Sequence, residues 1–149
     1  VNTRIVLLVL TGAVGVTAVA GGVALILGAL VSDLATVLSP PVAYLEGSPF
    51  ATFLVPGLVL AVVVGGTHLA AFAALLRRTP RRHLVTTIAA FGVLIWIFVQ
   101  MMFIPFSPLQ AGYFAAGLAE VGFVLLALGV LRDRPDPLPT AATGRRLDG

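Results

Sequence analysis

Residues 52–82 read TFLVPGLVLAVVVGGTHLAAFAALLRRTPRR. From Thr52 to Leu76 the only ionisable side chain is His68, and Arg77, Arg78, Arg81 and Arg82 then follow at once. A helix rising 1.5 Å per residue needs about 20 apolar residues to cross a hydrocarbon core roughly 30 Å thick, so this run is a membrane span closed by a basic stop. Three further runs of the same kind, about 5–31, 84–104 and 110–131, complete a set of four. The sequence therefore predicts an all-α membrane protein, a four-transmembrane-helix bundle occupying residues 1–131. The first run, at about 27 residues, would be roughly 40 Å long, and so predicts tilt or protrusion before Ser32 and Asp33 end it.

Composition agrees with lipid as the solvent. Of 149 residues, 59% are hydrophobic and 10% charged, whereas soluble domains carry about 45–50% and about 25%. The mean hydropathy is +1.10. A net charge of +3 and a pI near 10.6 do not indicate a nucleic-acid partner, because the basic residues sit in short segments flanking the spans. Cysteine is absent, which removes disulfides, thiolate metal sites and cysteine nucleophiles together. Residues 132–149 hold Pro135, Pro137, Pro139 and Gly144 among charged side chains, a composition expected to form a disordered cytoplasmic tail.

All nine basic residues are arginines, and they fall in three places: Arg4, the loop Arg77 to Arg82, and the tail Arg132, Arg134, Arg145 and Arg146. Four crossings put these three segments on one side. The opposite side receives residues 32–51 and the turn from Pro105 to Leu109, which contain Asp33 and Glu46 and no basic residue. By the positive-inside rule both termini are expected in the cytoplasm. A rival reading takes Arg4, the apolar stretch and Ala18-Val19-Ala20 as a cleavable signal. Apolar sequence continues unbroken from Gly21 to Val31, which favours an uncleaved first span. Arg77, Arg78, Arg81 and Arg82 are expected to fix topology and to contact anionic lipid headgroups, at about 1 kcal/mol each.

Lipid tails are as apolar as leucine, so spans associate through close approach of small residues rather than through the hydrophobic effect. Gly57, Ala61 and Gly65 repeat every fourth residue in the second span and form the best such stripe. Thr11 with Gly15, and Ala18 with Gly22, offer matching positions in the first.

Glu120 stands near the middle of the fourth span. An ionised group at that depth costs roughly 2.5–3.5 kcal/mol by analogy with Asp, so it must face the bundle and be protonated or paired. Counting 1.5 Å per residue from the arginines puts Glu120 about 18 Å deep, His68 about 13 Å and Thr17 about 19 Å. A hydrogen bond between Glu120 and His68 is expected, with Thr17 and Thr67 nearby and Gln100 closer to the far surface beside Trp96. Two uses compete for such a cluster. Polar side chains pin helices together at about 0.6–2 kcal/mol per bond, and intramembrane carboxylates also carry protons in transporters and pumps. His68 and His83 lie about 22 Å apart along the helix direction and cannot clamp one haem iron. No hydrolase constellation, phosphate loop or metal cluster is legible, and no cofactor is expected.

The chain resembles a group of uncharacterised small four-helix integral membrane proteins of bacteria, actinobacterial in their alanine-rich, arginine-only style. The resemblance rests on Leu45-Glu46-Gly47-Ser48-Pro49-Phe50, Leu54-Val55-Pro56-Gly57-Leu58, Gly65-Gly66 and Arg77-Arg78. Ile95-Trp96-Ile97 with Gln100, Pro108-Leu109-Gln110 and Tyr113-Phe114 continue it, so that most of residues 1–131 is covered. It implies a four-helix fold and no catalytic residue. More distantly the layout is similar to DoxX-type proteins and to small multidrug transporters, but the latter carry their key glutamate in the first span, where this chain has none. The expected role is a non-enzymatic accessory or interaction subunit, with a membrane-protein partner or a homo-oligomer. The alternative is a small homo-oligomeric, proton-coupled transporter or channel using Glu120. An enzyme acting on lipid or quinone ranks third.

Overall fold

A computed structural model describes residues 2–130; the tail 132–149 and the last residue of the expected fourth span lie outside the described residues. Four helices are long and apolar enough to cross a membrane: Thr3–Leu30, Leu54–Leu76, Arg82–Met101 and Pro108–Ala127. We name α1 (Thr3–Leu30), α2 (Ser32–Leu38), α3 (Leu54–Leu58), α4 (Gly66–Leu76), α5 (Arg82–Met101) and α6 (Pro108–Ala127). Between α3 and α4 the second span runs as a π-helix, Val59–Gly65. The spans form a ring in which each packs on its chain neighbours and α6 closes back on α1. Side chains facing out are those that lipid tolerates: Val62 and Phe98 are each 67% exposed.

Helix ends differ from the expected boundaries for local reasons. The third span was expected to run to residue 104 and its helix stops at Met101. Pro105 disfavours helix at Ile104, and the chain must be extended by Ser107 to enter the next helix. That entry is a capping box: the Ser107 hydroxyl accepts the Gln110 N–H at 3.3 Å, and the Gln110 side chain accepts the Ser107 N–H at 2.9 Å. Pro108, at the first helical position, has no N–H to leave unpaired. The fourth helix therefore begins two residues before the expected start, and the second begins at Leu54 rather than residue 52.

The first two spans touch backbone to backbone. A Cβ built on Gly22 would lie 2.6 Å from the Ala61 nitrogen and 2.6 Å from the Gly57 carbonyl oxygen. One built on Gly57 would meet the Gly22 oxygen at 2.9 Å, and one on Gly65 would meet Val19 Cγ2 at 2.6 Å. Residues four apart drift forward round an α-helix of 3.6 residues per turn. The wider π turn holds that drift back, so Gly57, Ala61 and Gly65 all stay against α1. At the end of the bundle away from Arg77–Arg82, α2 folds back on the last turns of α1, with Gly28 lying under Leu38 and Ser39.

The core has two apolar clusters stacked along the bundle. Leu7, Leu75 and Val124 form the one nearer the arginines, joined by Leu8 and Phe123. Val14, Ala18, Val64, Val93 and Ile97 form the other, joined by Leu60, Trp96, Tyr113 and Ala116. In sequence, His68 falls between Val64 and Leu75, and Glu120 between Ala116 and Val124. The polar layer therefore lies between the two clusters.

Candidate functional site

His68 follows the π-helix by three residues and points into the ring from the second span; Glu120 points in from α6. Both are fully buried, and His68 Nε2 stands 3.3 Å from Glu120 Oε2. The spans that carry them are not ring neighbours, so the two side chains reach across the diagonal. Alanines at the inner face of α5, Ala89 and Ala90, both 0% exposed, keep that wall small.

The imidazole is held in one tautomer. His68 Nδ1 lies 2.7 Å from the Val64 carbonyl oxygen, and a carbonyl only accepts, so Nδ1 carries a proton. One further proton would make the buried pair neutral. It sits either on Glu120, leaving Nε2 an acceptor, or on Nε2, leaving a carboxylate beside an imidazolium. The pair is neutral as a whole in both cases, which avoids the cost of a lone buried charge. The contact is close but not aligned as a hydrogen bond, and Glu120 Oε1 has no partner among the described residues.

Of the five residues expected to form an intramembrane polar site, the structure brings His68 and Glu120 together and sets Thr17 and Gln100 on a separate cavity. Thr17 is exposed and its hydroxyl donates to the Ala13 carbonyl at 2.6 Å. Thr67 is partly exposed and donates to the Val63 carbonyl at 2.6 Å. Each threonine satisfies its own helix four residues back, so neither needs the cluster. Gln100 borders two cavities in the other half of the bundle, of about 290 Å³ and about 120 Å³, together with Trp96. Thr11 and Thr86 were not singled out for this site and are completely buried. Thr11 donates to the Leu7 carbonyl at 2.7 Å and Thr86 to the Arg82 carbonyl at 2.8 Å. Thr11 lies between Leu7 and Val14 on the inner face of α1, in the same layer as His68. The spacing Thr11, Gly15, Ala18, Gly22 carried that signal, because it traces a single helical face.

Neither His68 nor Glu120 borders any of the four cavities described for the molecule. Among the described residues, no three His, Asp or Glu side chains gather where they would hold a metal ion. The pair joins two diagonal helices across the polar layer. Comparison with protein families, curated proteins and solved structures finds no match to this chain.

Proposed function

We propose that this is a multi-pass protein of the bacterial cytoplasmic membrane, with both ends inside, that serves as a non-enzymatic accessory or interaction subunit. The observation that carries this reading is the closure of its polar centre. His68 and Glu120 are 0% exposed and border none of the four described cavities. A sealed pair of this kind acts as a packing lock. The outward side of α6 supports the partner half of the proposal. Ala111 and Ala115 are exposed there, and a Cβ added at Gly122 would meet nothing within 4 Å. Small residues left open on a span are how another transmembrane helix comes close. Extraction from native membranes in a mild detergent should yield the chain with a stoichiometric partner or a second copy of itself. A monodisperse single chain would overturn the proposal.

The orientation rests on the arginine distribution and has its own test. Because the chain has no cysteine, one introduced at Gly47 or at Arg77 is a unique label site. A membrane-impermeant maleimide applied to intact cells is expected to modify the Gly47→Cys chain and to spare Arg77→Cys until the cells are opened. The reverse pattern would invert the topology.

Two observations favour a second reading, proton-coupled transport at Glu120. The π-helix ends three residues before His68, π segments are frequent at functional sites, and Glu120 Oε1 has no partner among the described residues. Under this reading pH-driven flux in liposomes is abolished by Glu120→Gln; absence of flux from the parent protein disposes of it.

A further inference from the structure

The arginine end of the bundle contains a cavity of about 510 Å³ bordered by Arg4 of α1, Arg78 of the α4–α5 connection, Arg82 and His83 of α5, and Leu75 and Leu126 beneath them. Three arginines border one space, and no carboxylate is among the described residues that border it. Arg4 donates from Nε to the Leu75 carbonyl and from Nη2 to the Leu76 carbonyl, both at 3.2 Å. Arg82 donates from Nη1 toward the carbonyls of Arg78 and Thr79, at 3.5 and 3.4 Å. These carbonyls orient the guanidiniums without neutralising them, and each guanidinium has five N–H donors, so several remain.

Two independent features single out this place. The first is His83. Arg82 Nε lies 3.1 Å from His83 Nε2; an arginine only donates, so Nε2 accepts and the ring proton is on Nδ1. His83 Nδ1 is buried with no partner among the described residues, a donor without an acceptor beside three cations. The second is Arg78. The second span ends in a Schellman motif, with Thr79 N–H on the Ala74 carbonyl at 3.0 Å and Arg78 N–H on the Leu75 carbonyl at 3.4 Å. This puts Arg78 at the left-handed position, φ 55°, which glycine fills by preference. A side chain is held there against its conformational preference, at the border of the cavity.

We propose that this cavity binds one phosphate-bearing anion, the phosphodiester headgroup of an anionic lipid from the adjoining leaflet. Arginine clusters match phosphate geometry through paired N–H donors. The start of α5 adds the positive end of its helix dipole, and Leu75 and Leu126 form an apolar floor for the glycerol and upper acyl chain. The inference goes beyond a surface attraction of the whole loop: it assigns one site and leaves Arg77 and Arg81, which do not border the cavity, out of it. It rests on the membrane setting proposed above.

The test uses the full chain in nanodiscs of phosphatidylcholine, with and without phosphatidylglycerol. We expect one phosphatidylglycerol to stay with each chain through washing in neutral detergent, and the unfolding midpoint to rise when that lipid is present. Inorganic phosphate should not replace it, and equal protection by phosphate would overturn the lipid as the source. Arg78→Gly should retain the lipid about tenfold more weakly while folding at least as well, since glycine suits the left-handed turn. Arg81→Gln should match the parent. Equal losses in the two variants would mean diffuse surface charge and would overturn the site. A chain that inserts into neutral discs and shows no preference refutes this inference alone, whereas failure to insert refutes the membrane setting.

Discussion

Gly22→Val is expected to part the first two spans and to cost about 3 kcal/mol or more, a large share of the roughly 5–15 kcal/mol that holds a typical domain together. The reason is what the new side chain would strike. At Gly22 the first added carbon falls 2.6 Å from two backbone atoms of the facing helix, and backbone in a π-helix cannot step aside as a flexible side chain can. Even Gly22→Ala should destabilise. Other glycines make a graded series that tests the mechanism. At Gly65 the nearest obstacle is the Val19 side chain at 2.6 Å, with Val19 nitrogen behind it at 3.0 Å, so the loss should be intermediate. At Gly15 the end of Leu69, at 2.9 Å, can swing away, and the Leu69 nitrogen lies behind it at 3.2 Å, so the loss should be smaller than at Gly65. At Gly66 and Gly92 nothing lies within 4 Å, and alanine there should cost nothing. Denaturant titration of the purified protein in detergent checks the order Gly22, Gly65, Gly15, Gly66. An alanine at Gly66 as harmful as one at Gly22 would show that contact with the facing helix does not set the penalty, since alanine is the better helix former.

Much of this arrangement was legible because a membrane simplifies the problem. Four long apolar runs bounded by arginines leave helices as the only described elements that satisfy their backbone without water, and counting from the arginines fixes depth. Depth brought Glu120 and His68 to neighbouring levels. It fixes only one coordinate of a cylinder, however, and Thr17 shows the consequence: at a depth close to Glu120, it borders the cavity that Gln100 lines and does not reach the His68–Glu120 pair. The second coordinate was in the sequence as the face Leu7, Thr11, Gly15, Ala18 and Gly22, all buried, from which Thr17 is absent. The π-helix was not legible. Its residues, Val59 to Gly65, have the composition of any apolar span, and the extra width of the turn comes from how closely Gly57, Ala61 and Gly65 must follow α1, a tertiary demand. The Schellman turn at Arg78 was hidden because the sequence puts an arginine where such a turn calls for glycine.

The second large effect separates the two uses of the polar pair. With Nδ1–H of His68 pinned on the Val64 carbonyl at 2.7 Å, Nε2 needs a donor in the Glu120 position. Glu120→Gln supplies an N–H in nearly the same shape, and should cost less than about 1 kcal/mol, the net worth of an ordinary hydrogen bond. Glu120→Leu supplies none and strands Nε2 in a dry interior, with an expected cost of about 1–3 kcal/mol. His68→Leu strands the carboxyl group in the same way. The double replacement removes both orphans and fills the layer with apolar side chains, so it should recover much of either single loss, because exchanging a buried polar pair for hydrophobic neighbours is often neutral. Unfolding of all four chains closes the cycle, and losses that simply add would show that the two side chains do not depend on each other. Glu120→Gln also divides the electrical possibilities. If the shared proton rests on the carboxyl group, the amide imitates it; if it rests on the ring, the amide replaces a carboxylate and strips an imidazolium of its counter-charge, so glutamine becomes as costly as leucine. A lock loses stability with leucine and has no flux to lose, whereas a transporter loses its flux with glutamine while staying folded, so the same variants measured in liposomes decide which of the two the buried pair serves.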